Sequence, residues 1–334
     1  MRDNPDQQPT NIAVPGLTVG TALTLRPKWP TTDPEQFWAT IVLGVPDLAY
    51  GSAPTEIELA TALQPTVIVE WLGNNDALVP ALTGQLNALT PVEKFAEDYE
   101  KVVDKLSRTE AALITATIPD VTEVPYFTPV STIAAQAGLP VQTTAELLGI
   151  GPDDYVRPSA QAYVDQILTG TRKGPLPSAC PAPLPDLGVP TLPCVLTQAD
   201  AKIVRRYISC YNLIITATTL FHGGAVVDVH GLVDRIYRDG YKLGSKTLTA
   251  DFFGGLFSLD GIHPTNTGYG VIANEFIRTI NRFEGTEIPA ANIDEIFAQD
   301  PLKPYAKPEF HKRVRRDWFD DFCFSDAVIE RTSR

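Results

Sequence analysis

Four histidines stand among the 334 residues, and one has a carboxylate at a spacing that suits proton transfer. Asp260 precedes His263 by three positions in Phe257-Ser258-Leu259-Asp260-Gly261-Ile262-His263-Pro264. Glycine and proline bound this loop, so a carboxylate and an imidazole can meet on one tight turn. A carboxylate bound to one ring N–H fixes the tautomer and stabilises the imidazolium. The other ring nitrogen is then a general base. The same spacing also serves a loop that merely caps the next helix. Asn75, in Gly73-Asn74-Asn75-Asp76, offers a side-chain amide, and Gly16, in Pro15-Gly16, a backbone N–H. Both kinds of donor suit a developing oxyanion, and both suit an ordinary turn.

These loops need elements to hold them. Asn11-Ile12-Ala13-Val14 leads into Pro15-Gly16, and Thr66 to Leu72 leads into Gly73. Ala111 to Ile118 leads into Pro119-Asp120, and Ala225-Val226-Val227-Asp228 into Val229-His230-Gly231. Each run is short, mostly apolar and closed by turn residues, the pattern of buried parallel strands. Helices lie between them. Thr90-Pro91-Val92-Glu93 reads as an N-cap, a proline at the first helical position and an acid closing a capping box, with the helix running to about Leu106. Thr197 to Asp200 opens a longer helix with Val204, Ile208, Tyr211 and Ile215 on its buried face. A last core helix starts near Thr265 and carries Ile272, Phe276 and Ile280. The alternation predicts a doubly wound α/β sheet, with ligands beyond the carboxyl ends of its strands.

That body spans residues 10–285. Residues 121–196 break its rhythm with helical patterns around 141–149 and 158–169 and a Pro-rich stretch from Pro175 to Pro193. They read as an insertion over one end of the sheet, a lid or pocket wall. Its Tyr126, Phe127, Leu139, Leu147 and Leu148 read as the insertion's own small core rather than an acyl pocket. Residues 286–334 form a C-terminal extension mixing Lys312, Arg313, Arg315 and Arg316 with Asp317, Asp320 and Asp321. It reads as a solvated or packed surface helix.

Composition narrows the classes. A net charge of −13, from 27 Lys+Arg against 40 Asp+Glu, argues against a nucleic-acid partner. The 44% hydrophobic fraction is enough to bury a core. No run approaches the ~18 apolar residues of a transmembrane helix. Cys180 and Cys194 bracket the Pro-rich stretch and leave a disulfide or two thiols equally open, while Cys210 and Cys323 stand alone. No CxxC pair points to zinc, and no cofactor is expected. Asp228-x-His230 echoes a metallophosphoesterase motif, but the motif order is reversed and Asn75 stands where a metal ligand belongs.

Taken together, Pro15-Gly16, Gly73-x-Asn75-Asp76 and Asp260-x-x-His263-Pro264-Thr265 through Gly268-Tyr269 resemble, in order and rough spacing, blocks II, III and V of the SGNH (GDSL-type) hydrolases. The likeness spans roughly residues 11–283 and is nearest the bacterial lipolytic branch. The resemblance implies an α/β/α fold with a flavodoxin-like parallel sheet and metal-free serine hydrolysis of a small-molecule ester. It implies His263 as general base and Asp260 as its orienting partner. It implies Gly16 N–H and the Asn75 amide as two of the three oxyanion donors.

The family's nucleophile is a serine in Gly-Asp-Ser or Gly-Asn-Ser after the first strand, upstream of the glycine block. The ten serines stand at 52, 107, 131, 159, 178, 209, 245, 258, 325 and 333, and none has that setting. Ser52 and Ser258 can approach the cleft but lack the strand-end context. The expectation is therefore a truncated chain without its first strand and nucleophile, inactive by itself. The complete protein would carry an export signal and be secreted, periplasmic or in the cell envelope. The alternative is a non-catalytic ligand-binding protein on the same fold.

Overall fold

The β-branched runs do form strands, and they lie side by side. In the computed structural model, which describes residues 10–44, 53–181 and 190–303, the chain is mixed α/β. It opens with helices α1 (Val19–Thr24), α2 (Pro34–Leu43) and α3 (Glu56–Ala62). Then come β1 (Val67–Glu70), α4 (Asn74–Thr83), α5 (Val92–Ser107) and β2 (Ala112–Ala116). After the insertion follow α9 (Gln198–Phe221), β8 (Ala225–Val227), α10 (Val229–Asp239) and a hairpin of β9 (Tyr241–Leu243) and β10 (Lys246–Leu248). Helices α11 (Asn266–Glu284) and α12 (Ile293–Gln299) end the described chain.

Strands β1, β2 and β8 form one parallel sheet in that order. Val67 pairs with Ala112 and Glu70 with Thr115; Ile114 pairs with Ala225 and Ala116 with Val227. The central strand is covered on both faces. Leu113 joins a core with Phe95, Tyr99 and Tyr211 of α5 and α9, while Ile114 and Ala116 join another with Val233, Val271 and Ile272 of α10 and α11. Phe95 and Tyr211 stack at 4.0 Å between centroids. Strand β1 is different. Ile68 and Glu70 are buried, but Val67 and Val69 are 42% and 55% exposed. Among the described residues no strand pairs with its outer edge.

The insertion holds β3 (Thr128–Pro129), α6 (Val130–Ala137), α7 (Val141–Leu148), β4 (Tyr155–Val156), α8 (Gln161–Leu168), β5 (Ala179–Pro181), β6 (Thr191–Pro193) and β7 (Val195–Leu196). Strands β3, β4 and β7 form a small antiparallel sheet, and β5–β6 is a hairpin closed by a Cys180–Cys194 disulfide. Ile133, Leu148, Val156, Val164 and Ile167 form its core with that disulfide.

Several expectations are corrected. Tyr126 and Phe127 belong to the main core, not to the insertion's. Leu148 is in the insertion core, whereas Leu147 is 42% exposed. Asn11 to Val14 forms no strand; the Val14 N–H goes to the Glu56 carboxylate at 3.1 Å and the Ala13 N–H to Asn11 at 3.2 Å. The Thr90–Glu93 capping box does not form, because the Thr90 hydroxyl donates to Asp76 at 2.7 Å and Pro91 occupies the cap position. Cys210 is disulfide-bonded rather than alone. In the extension, Asp300 accepts from Thr267 N at 2.9 Å and Thr267 Oγ1 at 2.7 Å, tying the segment after α12 to the start of α11. The charged cluster from Lys312 to Asp321 lies outside the described residues. Among the described residues no helix is long and apolar enough to cross a membrane.

Candidate active site

The Asp260–His263 loop is built by its own backbone. Phe257 bridges Pro264 in antiparallel fashion, Ser258 N donates to His263 O at 2.7 Å, and Gly261 N donates to Ser258 O at 3.0 Å. Gly261 has φ +71°, and a Cβ there would lie 2.5 Å from the Phe252 ring and 3.0 Å from Tyr126 N. Only glycine satisfies both the left-handed backbone and that approach.

The imidazole and carboxylate meet. His263 Nδ1 lies 2.6 Å from Asp260 Oδ2. Asp260 Oδ1 accepts from Ser258 Oγ at 2.6 Å, Ile262 N at 2.8 Å and His263 N at 3.0 Å. Partial burial pushes the Asp260 carboxyl up, but the hydrogen bonds from His263, Ser258, Ile262 and the His263 N–H together hold it well below the usual carboxylate range. The bond to Asp260 raises the His263 pKa above its ordinary value, against the opposing effect of burial. An ionised Asp260 on Nδ1 keeps the proton there and leaves Nε2 the lone pair of the neutral ring. The helix-capping role is taken by another residue: Thr265 Oγ1 accepts from Gly268 N at 3.1 Å at the start of α11.

The second group of residues gathers at the carboxyl end of β1. Gly73 turns the chain into α4 with φ +102°, and a Cβ there would lie 2.7 Å from Ile118 Cδ1. The Asn75 amide donates to Leu17 O at 2.9 Å, beside Gly16. Asp76 is buried and accepts from Val19 N at 3.0 Å and from Thr90. Burial raises its pKa. With Glu56 on Val14 N, three long-range polar ties hold the Val14–Val19 segment, and Gly16 sits exposed at φ +89° in the middle. The pairs Asp260/His263 and Asn75/Leu17 are thus each brought into contact. The Ser258 hydroxyl is committed to Asp260. Ser52 lies outside the described residues.

Other histidines have different work. His230 Nδ1 donates to Ile118 O at 3.1 Å, and its neighbour Asp228 caps α10 by accepting from Gly231 N at 2.8 Å. One constellation escaped the sequence: Ser107 Oγ is 3.3 Å from His222 Nδ1, and His222 Nε2 is 2.8 Å from Glu100 Oε1. It lies where α5 and α9 end, before β2 and β8 begin. The adjoining N–H groups of Thr109, Glu110, Gly223 and Gly224 are all spent in local turns. Helical spacing does not announce a contact between two helix ends so distant in sequence. Compared with protein-family models, curated proteins and solved structures, the chain has no match in any of the three.

Proposed function

We propose that the chain carries the general-base and oxyanion groups of an ester hydrolase of the SGNH type, on a flavodoxin-like α/β/α fold. The observation that carries this is the His263 Nδ1 to Asp260 Oδ2 contact at 2.6 Å, with Asp260 fixed by three further donors. In the mechanism, neutral His263 takes the proton of a serine hydroxyl at Nε2 as the oxygen attacks an ester carbonyl. Gly16 N–H and the Asn75 amide donate to the oxyanion. His263 returns the proton to the leaving alcohol, and water then repeats the cycle on the acyl-enzyme. The nucleophile belongs on a strand paired with the outer edge of β1, beside the exposed Val67 and Val69.

The test uses p-nitrophenyl acetate turnover and fluorophosphonate labelling. The chain by itself shows no more turnover than its His263→Ala variant. The chain extended by a strand that ends in Gly-Asp-Ser shows turnover that His263→Ala and Asn75→Ala abolish or cut by about 10²-fold or more. His263-dependent turnover by the unextended chain would assign the nucleophile to a residue already present. An extended chain that binds ester but turns none over would instead support a ligand-binding protein.

A further inference from the structure

We propose that Arg157 is a positioning residue, a buried strut that fixes the Asp260–His263 loop relative to the helix bearing Asn75. It rests on the catalytic assignment above. Arg157 follows β4 in the insertion and is 1% exposed. Its Nη2 donates to Ala81 O of α4 at 2.8 Å, and its Nη1 to Pro193 O of β6 at 2.8 Å. Its own N–H donates to Cys194 O at 3.0 Å. The guanidinium lies over the Phe127 ring, 5.5 Å from the centroid. Phe127 meets Tyr126 edge-on at 5.2 Å, and Tyr126 N donates to Gly261 O at 2.9 Å. A continuous path of contacts therefore joins α4 to the loop between Asp260 and His263, and one side chain of the insertion closes it.

The chemistry suits arginine alone. Its planar fork reaches two carbonyls on different elements while its face covers a ring. Lysine supplies the charge without the fork. Space-filling does not account for the choice. Arg157 has no carboxylate in ion-pair contact among the described residues, and burial lowers its pKa to about 10. An apolar side chain of similar volume fills such a place without desolvating a charge. What arginine adds is geometry. The insertion then acts on the site as part of its frame, in addition to any role as a wall.

The experiment is an NMR titration of His263 in wild type, Arg157→Met, Arg157→Lys and Val103→Ala, which loses packing on α5, a helix outside the path. It needs no ester turnover. We expect the His263 midpoint in Arg157→Met to fall by at least about half a pH unit, with Arg157→Lys between it and wild type. Val103→Ala loses stability with no change in midpoint. A folded Arg157→Met with the wild-type midpoint overturns the proposal, and so does an equal shift in Val103→Ala. If Arg157→Met does not fold, Arg157→Lys decides on the same criterion. Should the midpoints move as expected while the extended chain hydrolyses no ester, the strut stands and the catalytic assignment falls.

Discussion

Glu70 accepts the Tyr99 hydroxyl at 2.8 Å across the interface between β1 and α5. The carboxylate is buried and also takes the Leu72 N–H at 2.7 Å. Burial pushes its pKa up to about 7, and nearby Glu56, itself raised to about 7 by burial, adds to the effect. The folded state therefore holds a proton on Glu70 that the unfolded chain releases near pH 4.5. Stability from this group is full below that value and falls as pH rises to about 7. Glu70→Gln keeps an acceptor and removes the ionisation. Its stability relative to wild type should be greater at pH 8 than at pH 5, by on the order of 2–3 kcal/mol. Urea unfolding at the two pH values measures this; a pH-independent difference would contradict it.

Asp260→Asn removes the charge that raises the His263 pKa. The His263 midpoint should fall to about 6.5 or below, since burial then acts unopposed. The sign for stability follows from both partners. A depressed Asp260 contributes above its unfolded value near 4 and loses that as pH falls. A raised His263 contributes below about 6.5 and loses that as pH climbs through its folded value. The variant's deficit is therefore greatest between about pH 4 and 6.5 and shrinks as pH climbs through the raised His263 midpoint. Thermal melts across that range, beside the NMR titration, check both statements.

Gly73→Ala tests the turn that aims Asn75. The substitution meets a left-handed backbone and a Cβ position 2.7 Å from Ile118 Cδ1. The backbone costs about 1 kcal/mol or more and the overpacking about 1–3 kcal/mol. A loss of about 2–4 kcal/mol in urea unfolding is expected, and a variant as stable as wild type would deny the conformation.

Reducing Cys180–Cys194, or replacing both with serine, opens a loop of sequence separation 14. A loop of about 15 residues corresponds to about 3 kcal/mol in the chain-entropy account. The insertion should become the first site of limited proteolysis, cut faster than in the oxidised protein. Equal cleavage rates would show that its core stands without the bridge.

Much of the candidate site was legible because it is local. Asp260 and His263 share one turn, so their spacing alone brings them together. The strands over Thr66–Leu72, Ala111–Ile118 and Ala225–Asp228 announced themselves as β-branched runs ending at turns. Asn11–Val14 carried the same signal, but a strand needs a neighbour, and its N–H groups found side chains instead. Thr90 carried a cap signature that lost to a buried acid fourteen residues away. The contact of Tyr126 with Gly261 and the reach of Arg157 to Ala81 depend on where an insertion docks. No local pattern encodes that.

The outer edge of β1 has one more consequence. A parallel strand whose outer edge no other strand pairs among the described residues, with exposed valines on one face, is a template for any other extended chain. Left bare, it invites self-association, so the protein's behaviour in solution should depend on concentration. Val69→Lys puts a charge on that face, and it should raise the concentration at which the chain precipitates while leaving the Asp260–His263 contact intact.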